Sequence, residues 1–346
     1  MTAHRDLKRI IRDRQKKTGE SYTAARAHVL RERTAVTGLH DDPADGASPV
    51  RADEAESALP VRADAAVLKV NRQSARVRIL GEAGEVTFRS RDVWEVVPGQ
   101  LVTLVVEKMW TWKDHAYASG RIENPRITVE KLGLVPLPLT GGQLVDLRSG
   151  YEPFRNPEPY APLWRKLTAK PRAWFEMDPI AWGAFPNRAF DENPTCDAAD
   201  LAATGDREGA RDLLMDVLGT DLRCIDAHAH LGNLEFDRSP ERALTHYEIG
   251  IRIGELSLPP GFDGVLVWGR IYNRPFLRCL HGYGLCLWRL GKYAEAQMVF
   301  ERILSLNPHD NQGVRSCWHD VRRGRSWDEM YEQEDAVRAE RRQSLH

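Results

Sequence analysis

The chain is predicted to be multidomain, with an α-helical repeat stack in its C-terminal part, a small all-β barrel before it and a short helical pair at the N-terminus. Three observations predict this. Apolar residues recur at helical spacing in two-segment units after residue 193, the period switches to two between residues 63 and 127, and residues 1–33 hold two basic segments with apolar stripes. At 346 residues there is room for two or three cores.

Residues 1–33 read as a helical pair. Leu7, Ile10 and Ile11 form one stripe, Thr18-Gly19-Glu20 breaks it, and Ser21 caps a second helix with Tyr22, Ala25, Val29 and Leu30 on one side. Ten Lys/Arg against four Asp/Glu give a net charge of +6. Such a pair could lie on phosphates, grip an acidic protein or be a solvated element, and the residues leave these open. Residues 34–62 are rich in Ala, Asp, Pro, Gly and Ser without a period, the composition of a flexible linker.

From 63 to 127, five short alternating runs (66–70, 75–80, 85–90, 101–107 and 115–122) are separated by Asn71-Arg72, Gly81-Glu82, Pro98-Gly99 and Trp112-Lys113-Asp114. Five short strands in so few residues suggest a closed barrel of the OB or SH3-like kind. Trp110, Trp112, Lys113 and Tyr117 flank one hairpin tip and are candidates for stacking nucleic-acid bases. Against this, residues 62–130 carry 11 basic and 9 acidic side chains, so no strong positive field is expected. Residues 128–192 are dense in Pro and Trp, which argues for an ordered wrap without long helices, with single turns at Ala161–Leu167 and Pro179–Gly183.

The repeats occupy 193–322. Phe276 to Pro308 holds two helical segments hinged at Leu290-Gly291-Lys292, with Leu280, Tyr283, Gly284, Leu287 and Trp288 on the first and Tyr293, Ala296, Val299, Phe300 and Ile303 on the second. This stretch resembles a tetratricopeptide repeat (TPR) at Gly284, Tyr293, Ala296, Phe300 and Pro308, and departs from that pattern at Leu280, Tyr283 and Ile303. A second copy has Leu231-Gly232, Ala243 and Tyr247, and a third has Gly205, Ala210, Leu214 and Val217. Ala210 and Ala243 are 33 residues apart, but Ala243 and Ala296 are 53 apart, so residues 256–275 are an insertion. Its GVLVWGRIYN alternates like a strand or hairpin, and Val265, Val267, Trp268 and Tyr272 are the candidate partner-binding residues, because repeat insertions collect on a binding face. The alternative is that they fold back on the stack. Residues 323–346 form a capping helix opened by Ser326-Trp327-Asp328-Glu329, with Trp327, Met330, Tyr331 and Val337 inward. NRPFLR, LCLWRLG and NPHDNQGVR resemble bacterial TPR proteins of undefined activity, which implies a protein or peptide partner rather than chemistry.

One stretch looks catalytic. Asp226-Ala-His228-Ala-His230 resembles the metal-binding start of amidohydrolases, where both histidines sit on a strand and reach one metal. Here it falls on a repeat helix, where i and i+2 diverge by about 200°. Only 121 residues remain from Asp226 to the end, against about 250 for such a barrel. The expectation is therefore a non-enzymatic scaffold with no metal and no cofactor, since phosphate-loop, nucleophile-elbow and zinc-protease motifs are all missing. Forty-nine basic against fifty acidic residues exclude a global bias toward nucleic acid, although nucleic acid remains the alternative partner. Five scattered cysteines without a Cys-x-x-Cys pair, and no 18-residue apolar run, point to the cytoplasm and away from the membrane.

Overall fold

The computed structural model describes residues 61–82, 84–148, 160–178, 193–333 and 335. The N-terminal pair, most of the linker, the turn expected at 179–183 and Val337 lie outside them.

Strands β1 (Val61–Val70), β2 (Ser74–Ile79), β3 (Val86–Arg89), β4 (Leu101–Trp112) and β5 (His115–Arg126) close into a barrel in the order β1-β2-β3-β5-β4. The sequence β4-β1-β2-β3 is a Greek key, and β5 completes the ring by running parallel to β3 and antiparallel to β4. Alternate residues point inward: Val67, Ala75, Val77, Val86, Phe88, Val102, Leu104, Val106 and Ala118 fill the interior. All five expected strands form. β1 starts at Val61, inside the expected linker, because Val61 and Arg62 pair with Val106 and Val105. β4 and β5 extend to a two-residue turn at Lys113 and Asp114, both with positive φ (47° and 61°), the twist that a tight hairpin requires.

The Pro-rich wrap contains α1 (Ala161–Leu167), as expected, and two strands that the proline count concealed, β6 (Leu139–Val145) and β7 (Arg172–Met177). These pair antiparallel, with a bulge between Gly141 and Leu144. The helical part runs α2 (Pro194–Ala203), α3 (Arg207–Thr220), α4 (Ile225–Glu235), α5 (Pro240–Glu255), α6 (Arg274–Arg289), α7 (Tyr293–Leu306) and α8 (Val314–Arg322). Each packs on the next, and α4 also packs on α2 and α6, so the hairpins lie side by side. Their starts follow local chemistry: the side chains of Asn193, Asp206 and Ser239 accept backbone N–H bonds at the first turns of α2, α3 and α5. The expected capping box is present, with the Ser326 N–H donating to Glu329 Oε2 (2.7 Å) and the Glu329 N–H to Ser326 Oγ (3.1 Å). In that last helix Trp327 packs edge-on to Trp288 and Phe236, but Tyr331, expected inward, is exposed.

The barrel shares a core with α2, α3 and α4. Ala198, Leu201, Leu214, Met215 and Leu218 are continuous with the barrel interior, and the Arg76 guanidinium donates to the Gly219 carbonyl at 2.6 Å.

The insertion does not form the hairpin that its alternation suggests. A single parallel bridge joins Val265 to Trp174: the Phe175 N–H donates to Val265 O (2.9 Å) and the Val265 N–H to Ala173 O (2.8 Å). The next residue turns to a different partner, the Leu266 N–H donating to Leu306 O at 2.8 Å. The open edge of β7 and the end of α7 thus take the backbone groups that a hairpin would have paired internally. Arg172 fixes this junction. It is 6% exposed and donates to the carbonyls of Asp263 (2.9 Å), Gly264 (2.9 Å) and Ser305 (2.7 Å).

Replacing Arg172 by Met strips donors from three carbonyls while keeping most of the side-chain volume. It is expected to cost about 3 kcal/mol, read as a lower urea midpoint at unchanged slope.

Candidate partner-binding groove

Two glycines and one tyrosine build the floor. Tyr247 of α5 lies against Gly232 of α4 and Gly282 of α6; a Cβ on either glycine would come within 2.4 Å or 2.3 Å of the ring. The equivalent contact recurs one unit on, where a Cβ on Gly284 would lie 2.5 Å from Phe300. The Tyr247 hydroxyl donates to Asn233 Oδ1 at 2.6 Å, and burial raises its pKa. Above this floor is a groove of about 470 Å³ whose lining includes Phe236 and Leu285 as well as Trp268, Arg278, His281 and Gln312.

Trp268 forms one wall. Its backbone N–H donates to Asn307 Oδ1 (3.2 Å), its backbone carbonyl accepts from Arg274 Nε (3.1 Å), and the guanidinium carbons of Arg274 and Arg278 lie 5.2 and 5.9 Å from its ring centre. Of the four partner-binding residues expected from the insertion, only Trp268 lines this groove. Val265 is completely buried in its bridge to β7 and presents nothing to a partner. Val267 and Tyr272 are half-buried, the Tyr272 N–H turning to Glu176. Sequence reading passed over Arg278, His281 and Gln312. The available signal was the spacing of Arg278, His281 and Leu285, at i, i+3 and i+7, on the less apolar side of α6.

The Asp-x-His-x-His stretch lies on α4, as expected, and its two histidines take different sides of the helix. Asp226 Oδ1 accepts from Arg278 (2.9 Å) and Oδ2 from Thr195 Oγ1 (2.7 Å), while His230 Nε2 stands 3.7 Å away. His228 is fully buried, with Nε2 at 3.1 Å from the Leu222 carbonyl. Burial lowers its pKa to about 4. His246, also buried, is pushed well below the ordinary value by burial and by His228, Arg242 and Arg211. Among the described residues no three His, Cys, Asp or Glu side chains converge as a metal site.

On the barrel, the four residues expected at a nucleic-acid face lie on the β4–β5 hairpin as two pairs, Trp110 with Tyr117 and Trp112 with Lys113. Trp110 and Tyr117 are cross-strand partners with nearly parallel rings, 5.6 Å apart and 12° inclined. Arg89 stands 5.7 Å from the Trp110 ring centre, and Lys113 Nζ 4.1 Å from that of Trp112. Because Phe88 and Ala118 point into the barrel, Arg89 and Tyr117 point out of it. Ion pairs such as Arg121 with Glu107 and Glu123, and Arg76 and Arg78 with Glu85, cancel much of the charge nearby.

Comparison with protein-family models, with curated proteins and with solved structures yields no match.

The buried histidines give the fold an acid-side weakness. Both have folded-state pKa values below the ordinary 6.5, so below that pH the unfolded chain binds the extra protons. Their contribution is complete above pH 6.5 and is lost as pH falls toward 4, about 3 kcal/mol for His228 alone. Chemical unfolding at pH 7, 5.5 and 4.5 should show stability dropping steeply, and His228→Leu should flatten the drop.

Proposed function

We propose that this chain is a non-enzymatic, TPR-type adaptor of the cytoplasm that holds a protein or peptide partner in the groove over Tyr247. The observation that carries the reading is the groove itself, with Trp268 from the insertion as one wall and an aromatic floor. A cleft of several hundred Å³ with an exchangeable apolar lining and a few placed polar groups suits a side chain with its flanking main chain. The paired glycine–aromatic contacts at Gly232/Tyr247 and Gly284/Phe300 support the repeat assignment, because the same residue types pack in the same way in successive hairpins. Five free thiols, three of them buried, suit a reducing compartment, and no helix among the described residues is long and apolar enough to cross a membrane. Both oxygens of Asp226 are spent on bonds between helices, which favours a structural role for the stretch resembling a hydrolase.

Partners captured from cells by the intact chain should be lost on Trp268→Ala and on Leu285→Glu, and kept on Met298→Ala, which changes an exposed residue of α7. An unchanged partner set in the first two variants would remove the groove from consideration.

A second reading rests on Trp110 and Tyr117. The five-stranded Greek-key barrel fits the OB type, and its outward ring pair beside Arg89, on a hairpin that also carries Lys108 and Lys113, suits a single strand of nucleic acid. Titration of labelled single-stranded DNA and RNA should then show an affinity lost on Trp110→Ala. Three phosphate contacts would give a log–log salt slope of about −2.

A further inference from the structure

The groove holds polar groups that its own fold leaves unused. Gln312 lines it, donates Nε2 to the Leu277 carbonyl at 3.2 Å, and has a buried Oε1 with no hydrogen-bond partner. The bond to Leu277 fixes the amide orientation, because a carbonyl can only accept, so the orphan atom is an acceptor. An unsatisfied buried acceptor costs about 1–3 kcal/mol, which a donor entering the groove would relieve. His281 lies four residues beyond Leu277 on α6, one helical turn along the same side as the carbonyl that Gln312 grips. Its imidazole meets the Phe300 ring edge-on and lines the same groove; burial lowers its pKa to about 4, so at neutral pH it offers one donor and one acceptor rather than a charge. The Arg278 cation is already committed to Asp226 at 2.9 Å. Asp237 is the other charged residue of the lining, so an acidic occupant is a poor match for the groove. A unit carrying one N–H and one C=O is a good one.

We infer that the groove recognises the main chain of an extended peptide: one peptide N–H donates to Gln312 Oε1, a nearby carbonyl accepts from the His281 imidazole, and an apolar side chain lies over Tyr247 between Phe236 and Leu285. This rests on the groove being the partner site, and adds that the occupant is read through its backbone rather than through a charged side chain. The partner class is then an extended segment with a large apolar residue. Acidic sequences have no advantage in it.

The test uses the full chain and a random nonapeptide phage library as probe. Enriched peptides are resynthesised with one backbone N-methyl group at each position in turn, and binding is measured to the native protein, Trp268→Ala and Gln312→Met, the last being near-isosteric without the acceptor. The expected result is that Trp268→Ala loses at least ten-fold, and that N-methylation at one position next to the apolar residue also loses at least ten-fold. Gln312→Met should bind the parent peptide about ten-fold more weakly, and should no longer distinguish it from that methylated form. If binding depends on Trp268 but no N-methyl group and no change at Gln312 affects it, backbone recognition is overturned and the groove assignment stands. Peptides that bind Trp268→Ala as well as native protein, or a library with no enrichment over that variant, overturn both. The methyl scan varies only the ligand, so a folding defect in a variant cannot produce its outcome.

Discussion

The structure depends on how closely three helices approach one tyrosine. Tyr247 can lie flat between α4 and α6 only because Gly232 and Gly282 carry no side chain, and any larger residue would force the helices apart or the ring out. That closeness has two consequences. It brings Asp226 of α4 to Arg278 of α6 and to Thr195 before it, so that one carboxylate joins three hairpins. It also leaves the space above the ring as a shallow groove with an aromatic floor, rather than filling it with helix side chains.

A second constraint sets where the groove ends. The insertion between α5 and α6 has no hydrogen-bonding partner of its own, so its backbone must find one elsewhere. It finds β7, the end of α7, and the guanidinium of Arg172, and Asn273 adds bonds to the Phe175 and Val267 carbonyls. With Val265 and Leu266 locked inside, the chain emerges at Trp268, whose backbone is held by Asn307 and Arg274 and whose ring lies beside the Arg274 and Arg278 guanidinium groups. The Pro-rich wrap is therefore part of the groove's architecture, since it supplies the strand on which the insertion rests.

The barrel is attached to α2, α3 and α4 by a shared apolar core and by Arg76 at Gly219. Its aromatic hairpin tip and the groove over Tyr247 are built from separate elements, with separate chemistry: an outward ring stack beside cations in one case, neutral amide and imidazole groups over an apolar floor in the other.

The sequence by itself determined whatever depends on local periodicity and local caps. The five barrel strands follow from period-two alternation, the helices from 3.6-residue spacing, and the helix starts from Asn193, Asp206, Ser239 and the Ser326–Glu329 box, because these interactions join residues a few positions apart. It also placed Asp226 and His228 on a helix, where i and i+2 cannot converge. Tertiary structure alone decided the rest. Val265 alternates like an exposed strand residue yet is sealed by β7, which lies about 90 positions earlier, and β6 and β7 hid among prolines because each is stable only with its partner. Gln312 and His281 belong to different elements and become one site only when Gln312 reaches the Leu277 carbonyl. Such pairings are set by which backbone groups remain unsatisfied once the helices and the barrel have packed, and that inventory exists only in the folded chain.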